Sequence, residues 1–196
     1  MLAIASTTAA VVFWISIAGW FGAETVIFVV GRSVTAEGSD HDRGSVWPVL
    51  GAGFGAFILA LILAKWLPFG SAGPARPALF WVGIIAIWAG IVFRLWAVRT
   101  LGSFFQPVVT IQTEHRVVRA GPYRWVRHPS YAGGLVTMAG IGAATGNLIS
   151  LAVLIVLPIL GYLPRIAVEE QALAGSLGTE YTDYQKNSAR LVPGVW

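Results

Sequence analysis

The sequence contains no cysteine, and this absence excludes several kinds of site at once. A disulfide framework, a thiolate zinc site and a thiol nucleophile all require cysteine side chains. The three histidines, His41, His115 and His128, lie far apart and lack the spacing of metal ligands. We therefore expect no metal centre and no cysteine chemistry.

Charge is also scarce, because 11% of the residues are charged whereas 56% are hydrophobic, and the mean hydropathy is +0.72. Soluble domains carry about 25% charged residues. The first ten residues contain no lysine or arginine, so they lack the basic region of a cleaved signal peptide. The composition therefore predicts a single integral membrane domain over residues 1–196, whose first apolar stretch is retained as a span.

Five apolar stretches follow one another along the chain, and they predict an all-α protein with about five transmembrane helices. The first three, at about 8–30, 46–67 and 78–98, are long enough to cross about 30 Å of hydrocarbon. The last two, at about 132–145 and 148–163, are separated by a turn at Gly146-Asn147 and predict a helical hairpin. The predicted organisation is three spans in 1–98, a cytoplasmic connector in 99–130, the hairpin in 131–164 and a cytoplasmic tail with a helix in 165–196.

Glycines spaced four apart within the second stretch, Gly51 and Gly55, predict a close helix-packing seam. The alternation of residues 108–118 in the connector predicts two short strands that turn near residues 113–115.

The connector concentrates the positive charge of the chain, in Arg99, Arg116, Arg119, Arg124 and Arg127. Between membrane spans, such a loop is typical of the cytoplasmic side. The C-terminus is then also cytoplasmic, in the inner or cell membrane if the protein is bacterial. Because no face combines basic and aromatic residues for base stacking, we do not expect a nucleic-acid partner.

A polar and rigid segment, Gly121–Gly134, interrupts the apolar pattern just before the hairpin. Charged side chains and irregular backbone near hydrocarbon are costly unless they are buried in protein or line a cavity. We interpret the segment as a binding site for an anionic or nucleotide-like cofactor at the membrane surface.

A second polar group follows the hairpin, where Arg165, Glu169 and Glu170 lie within about one helical turn of one another. Residues four apart on a helix are neighbours, so Arg165 and Glu169 are expected to share a face. A surface ion pair would explain them equally well, except that they return to the side of the membrane that carries the Gly121–Gly134 segment.

Two motifs in these segments resemble the isoprenylcysteine carboxyl methyltransferase family and its phospholipid methyltransferase relatives. The first is Arg-His-Pro-x-Tyr-x-Gly at 127–133, preceded by Gly-Pro-Tyr-Arg at 121–124. The second is the pair Glu169-Glu170, followed by Gly-x-x-Tyr-x-x-Tyr at 178–184, then Arg190 and Pro193. The likeness covers roughly residues 101–193, and the first two spans carry no comparable signature.

The resemblance implies a membrane methyltransferase that uses S-adenosylmethionine and acts on a lipophilic acceptor, most simply by carboxyl methylation of an isoprenylcysteine. It implies cofactor binding by residues from both motifs: Tyr123, Arg127, His128, Pro129, Tyr131, Gly133, Glu169 and Glu170. His128 would donate to the cofactor carboxylate, and Gly133 would allow close backbone approach. Arg165 is the candidate to hold an acceptor carboxylate, with Glu170 or Glu169 orienting the arginine or the cofactor.

Two charges lie inside predicted spans, Glu24 in the first and Arg94 in the third. Both spans run in the same direction, and the two residues lie at depths that differ by about 3 Å at 1.5 Å per residue. A buried pair between them, or a role in a substrate tunnel, would explain charges that are otherwise costly.

Three other functions remain open at this point. A phospholipid N-methyltransferase would need a base for its amine, and Glu169 or Glu170 would serve. A membrane reductase that uses NADPH shares a similar C-terminal motif, although such reductases are usually longer. A non-enzymatic membrane protein would leave both motifs unexplained. The acceptor, the choice of O- or N-methylation and the oligomeric state do not follow from the sequence.

Overall fold

A computed structural model describes residues 6–33, 38–40, 46–105, 110–112 and 116–194. The described chain is built mainly of α-helices, with one short antiparallel pair of strands. The helices are α1 (Thr7–Ser33), α2 (Val46–Trp66), α3 (Arg76–Leu101), α4 (Pro129–Ala144), α5 (Leu148–Leu177) and α6 (Thr179–Lys186). The strands are β1 (Gly38–Asp40) and β2 (Thr110–Gln112), which pair with Gly38 opposite Gln112.

Four of the helices, α1, α2, α3 and α5, are long and apolar enough to cross a membrane. The fourth helix in the chain, α4, has 16 residues and a length of about 24 Å, which is less than the roughly 30 Å of hydrocarbon. It runs beside α3 and α5 as the first arm of the hairpin. The prediction of an all-α membrane fold is confirmed, and the chain is a multi-pass membrane protein.

Helix α5 continues without a break from the membrane span into the tail. The sequence predicts an end near residue 163, but the helix extends over 30 residues with Pro158 and Pro164 inside it. Its start is fixed by Asn147, whose side chain accepts from the backbone N–H groups of Ile149 and Ser150. Arg165, Glu169 and Glu170 therefore stand on a rigid extension of a transmembrane helix.

Helices α3 and α4 pack closely through glycines on both helices. A Cβ atom at Gly83 would lie 2.5 Å from the carbonyl oxygen of Gly140, and one at Gly90 would lie 2.6 Å from that of Gly133. Gly51 and Gly55 form no such seam with the described residues of this chain, because a Cβ at either position would meet none of their atoms within 4 Å. Spacing alone does not reveal which face of a helix meets a neighbour.

Helix α1 rests against α3 and reaches α2 through aromatic rings. The indole N–H of Trp88 donates to Ser16 Oγ at 3.1 Å, and the ring centroids of Trp20 and Phe57 lie 5.4 Å apart. Phe13 is fully buried in this layer. The contacts place the C-terminal half of α1, which includes Glu24, beside the third span.

The predicted strand region is only partly described. Strand β2 falls within it, but its partner is β1 in the connector between α1 and α2, and residues 116–118 form no strand, so the predicted pairing of two strands within 108–118 was wrong. The predicted turn at 113–115 lies outside the described residues, as do His41 and His115.

The end of the chain is hydrogen-bonded to the segment that precedes α4. Ala189 forms a parallel bridge with Val126, and its N–H donates to the carbonyl of Trp125 at 3.0 Å. The backbone N–H of Arg127 donates to the backbone carbonyl of Ala189 at 2.8 Å, and that of His128 donates to the backbone carbonyl of Arg190 at 3.1 Å. This pairing brings the two sequence motifs together.

Candidate cofactor and active site

A cavity of about 520 Å³ lies between the helices α1 to α6 and the connector. Its polar wall comes mainly from the connector, the start of α4 and the C-terminal half of α5. Its apolar lining comes mainly from α1 and α2, with further apolar side chains from the connector and α5. Polar lining residues include Tyr123, Arg127, His128, Tyr131, Arg165 and Glu169, and apolar ones include Trp20, Phe21, Val49, Leu50, Phe54 and Met138.

Glu170 is buried and joins three basic side chains behind the polar wall. Its Oε1 atom accepts from Arg127 Nε at 3.0 Å and from Arg190 Nε at 3.2 Å, and it lies 3.1 Å from His128 Nε2. Its Oε2 atom accepts from Arg190 Nη2 at 2.6 Å. Because a carboxylate only accepts, the His128 tautomer that satisfies this contact carries its proton on Nε2.

Arg127 ties the connector to the tail as well as to Glu170. Its Nη1 atom donates to the carbonyl of Gln185 at 2.9 Å and to that of Ser188. The side chain is 11% exposed. Arg127 therefore lines the candidate site and also holds the end of α6 in place.

Arg165, Tyr131 and Glu169 form a hydrogen-bonded series on the cavity wall. Arg165 Nε donates to the Tyr131 hydroxyl at 3.2 Å, and that hydroxyl donates to Glu169 Oε2 at 3.0 Å. The rings of Tyr131 and Tyr162 pack with centroids 4.9 Å apart. Arg165 is thus linked to Glu169 through Tyr131.

The two charges inside the spans meet, as their depths predict. Arg94 Nη2 lies 3.0 Å from Glu24 Oε2, and Arg94 Nη1 donates to the carbonyl of Ser130 at 2.9 Å. The side chains are 16% and 30% exposed, and both line the cavity. The remaining Nε atom of Arg94 is buried without a hydrogen-bond partner. The pair therefore forms part of the cavity wall.

Most of the predicted site residues surround the same cavity. Those that line it are Glu24, Arg94, Tyr123, Arg127, His128, Pro129, Tyr131, Arg165 and Glu169. Glu170 and Gly133 are absent from its lining. A Cβ at Gly133 would lie 2.9 Å from the backbone N of Arg94, so packing of α4 against α3 requires this glycine. Its predicted backbone approach to a cofactor stays a prediction.

Three residues beyond the predicted set contribute to the site. Arg190 binds Glu170, Tyr162 packs on Tyr131, and Tyr181 lines the cavity. The sequence offers a signal for Arg190 and Tyr181, because both belong to the C-terminal motif. Tyr162 lies in an apolar run with no local feature to distinguish it from an interfacial tyrosine.

Burial governs the electrostatics of the connector tyrosine. It raises the pKa of the Tyr123 hydroxyl, and the negative charge of Glu169 raises it further. Tyr123 therefore stays protonated at neutral pH.

Among the described residues, no group of three or more His, Cys, Asp or Glu side chains is arranged to hold a metal ion.

Comparison with known proteins identifies relatives of this arrangement. Residues 81–175 match the model of the isoprenylcysteine carboxyl methyltransferase (ICMT) family. Protein-S-isoprenylcysteine O-methyltransferase A of Arabidopsis thaliana is 34% identical over 121 residues, which cover 59% of this chain and 61% of that protein. The protein-S-isoprenylcysteine O-methyltransferase of Saccharomyces cerevisiae is 31% identical over 116 residues, which cover 58% of this chain and 48% of that protein.

A solved structure is also similar. The eukaryotic intramembrane Ras methyltransferase ICMT matches with a TM-score of 0.59 and 27% identity, over 74% of this chain and 51% of that one. The chain thus spans about half to three fifths of the length of these relatives. The resemblance to the isoprenylcysteine carboxyl methyltransferase family, indicated by the two sequence motifs, is confirmed.

Proposed function

We propose that this protein transfers a methyl group from S-adenosylmethionine to a lipophilic acceptor in the membrane, by carboxyl methylation of an isoprenylcysteine-type substrate. The observation that carries the proposal is a single cavity with a polar wall from both family motifs and an apolar wall from the membrane helices. A polar cofactor and an apolar acceptor have to meet in one such space for direct transfer.

The polar wall suits a cofactor that combines an amino acid with a nucleoside. Glu169 offers a carboxylate to an ammonium or to ribose hydroxyls, and the rings of Tyr123 and Tyr131 offer faces to adenine or to a sulfonium. Arg127 and His128 add positive charge or donors near a cofactor carboxylate. When bound, S-adenosylmethionine supplies the electrophilic methyl group.

In the proposed reaction, Arg165 holds one oxygen of the acceptor carboxylate and leaves the other free to attack. Its Nε is engaged by Tyr131, which in turn is held by Glu169, so the guanidinium has a defined orientation. Displacement requires the nucleophile, carbon and sulfur in line with water excluded, so such positioning supplies most of the acceleration. Glu170 lies behind the wall, and its role is to hold Arg127, His128 and Arg190.

The Glu24–Arg94 pair is proposed to form part of the passage for the acceptor. It shares the cavity wall with aromatic and aliphatic residues of α1 and α2, including Phe21 and Phe54, whose rings stack with centroids 6.0 Å apart. We propose that the acceptor reaches the cavity laterally from the bilayer between these helices. The cofactor reaches it from the cytoplasmic side, where the connector and the C-terminus lie.

Phospholipid N-methylation is the second candidate, and the position of Glu169 favours it. An amine acceptor has to lose a proton before attack, and this carboxylate lines the cavity with a 30% exposed side chain. In that case Arg165 would be dispensable for transfer, whereas Glu169 would be required.

The test is calorimetric titration of the detergent-solubilised protein with S-adenosylhomocysteine and, separately, with NADPH. We expect saturable binding of the first, loss of binding in His128→Ala, and unchanged binding in the exposed control Arg124→Ala. Because His128 supports Glu170, His128→Gln serves as a second variant that keeps a donor near Nε2.

Turnover is then measured with prenylcysteine and with phosphatidylethanolamine as acceptors. Methylation of the prenylcysteine supports the main proposal, and methylation of the phospholipid alone would replace it with the second candidate. Binding of NADPH alone would identify a reductase and overturn both.

A further inference from the structure

The hydroxyl group of Tyr181 is buried without a hydrogen-bond partner in the described structure. Tyr181 is 3% exposed, and the only other buried side-chain polar atom in this state among the described residues is Arg94 Nε. Most buried hydroxyls in native proteins are paired, because burying one without a partner destabilises the folded state. Among the described residues no side chain or backbone group supplies that partner, so a bound ligand is a candidate for it.

Tyr184, one turn later on the same helix, shows how a purely structural tyrosine is satisfied here. Its hydroxyl donates to the carbonyl of Tyr123 at 2.5 Å, and so ties α6 to the connector. The two tyrosine rings lie 6.1 Å apart, and both residues line the cavity. Packing therefore accounts for the hydroxyl at 184 but not for the hydroxyl at 181.

The surroundings of Tyr181 restrict the ligand group that it can bind. Burial raises the pKa of its hydroxyl, and the negative charges of Glu170 and Glu169 raise it further, opposed by the positive charge of Arg127. Tyr181 is therefore a neutral donor close to two carboxylates. A neutral acceptor, such as a ribose oxygen or an adenine nitrogen, suits that position better than a second carboxylate would.

The helix that carries Tyr181 is held firmly enough to present this group. Arg127 binds the carbonyls of Gln185 and Ser188 beyond the end of the tyrosine pair. Arg190 binds Glu170, and Lys186 binds Asp183 on the outer surface.

We propose that Tyr181 is a cofactor-binding residue whose hydroxyl donates a hydrogen bond to the nucleoside part of the cofactor. This inference rests on the proposed methyltransferase function, and it assigns the residue to ligand binding instead of to tail packing. It also gives the C-terminal helix a direct part in the site.

The test compares Tyr181→Phe with the matched control Tyr184→Phe by thermal unfolding and by calorimetry with S-adenosylhomocysteine. Without ligand, we expect Tyr181→Phe to be at least as stable as the wild type, because it removes an unpaired hydroxyl. Tyr184→Phe should unfold at a lower temperature, because it removes a paired one. With ligand, Tyr181→Phe should bind about 10-fold more weakly, since a lost hydrogen bond of about 1.4 kcal/mol is a factor of ten.

The same comparison with 5′-deoxy-5′-methylthioadenosine, which lacks the amino-acid part, locates the contact. A similar loss of affinity in Tyr181→Phe would support a nucleoside contact. Loss with S-adenosylhomocysteine but not with the shorter ligand would overturn that assignment. Unchanged affinity for both ligands, with wild-type binding intact, would overturn the inference alone, whereas no binding by the wild type would overturn the proposed function as well.

Discussion

Arg190 and Glu170 are joined by two hydrogen bonds, from Nε at 3.2 Å and from Nη2 at 2.6 Å, although they lie 20 positions apart. The same carboxylate holds Arg127 and His128 of the first motif. The second motif thus contributes a single buried acceptor around which the first motif and the end of the chain assemble.

Glu170→Ala should therefore destabilise the folded protein more than any other single change in the tail. It would leave three basic groups without their acceptor, and breaking a buried charged pair costs about 3–5 kcal/mol. Thermal unfolding in detergent measures the effect, with the exposed Glu180→Ala as the matched control. Equal melting temperatures of the two variants would contradict the role assigned to Glu170.

The Glu24–Arg94 pair should show coupling in a double-mutant cycle. Either single change, Glu24→Gln or Arg94→Gln, leaves one charge in the membrane region without its partner. The double variant removes both charges, so its loss of stability should be smaller than the sum of the single losses by about 1–2 kcal/mol. Denaturant unfolding gives the cycle, and additive losses would show that the two side chains act independently.

Arg165→Gln should reduce turnover without a comparable loss of cofactor affinity. If Arg165 holds the acceptor carboxylate, its removal should lower kcat by about 100-fold, because the attacking oxygen loses its alignment with the methyl carbon. Binding of S-adenosylhomocysteine should remain within a few-fold of wild type in the same preparation. Arg99→Gln, an exposed arginine outside the cavity lining, is the control. A wild-type rate of carboxyl methylation by Arg165→Gln would exclude the proposal that Arg165 holds the acceptor carboxylate.

Gly90→Ala should destabilise the fold, whereas Gly55→Ala should not. At Gly90 the added Cβ would lie 2.6 Å from the carbonyl oxygen of Gly133, and backbone on both sides prevents easy relief. Overpacking of this kind costs about 1–3 kcal/mol. At Gly55 nothing lies within 4 Å, so alanine should be neutral or stabilising through its higher helix propensity. Melting temperatures test both expectations. An unchanged melting temperature for Gly90→Ala would show that α3 and α4 do not pack closely at this position.

The sequence alone was sufficient for the membrane class and for much of the site. The lengths of the first three apolar runs predicted the long helices α1, α2 and α3, because hydrocarbon thickness fixes the number of helical residues needed to cross it. Matching depths predicted the contact of Glu24 with Arg94, because the rise per residue is constant along a helix. The two motifs indicated which residues would gather, since their residue types and order resemble the isoprenylcysteine carboxyl methyltransferase family in both segments.

Only the tertiary structure decided how neighbouring residues divide their roles. Glu169 and Glu170 differ by about 100° around α5, and packing of that helix turns Glu169 toward the cavity and Glu170 toward Arg190. Packing likewise satisfies the hydroxyl of Tyr184 and leaves that of Tyr181 unpaired. These assignments depend on the rotation of α5 and of α6 against their neighbours, which is set by long-range contacts and is not encoded in any local pattern.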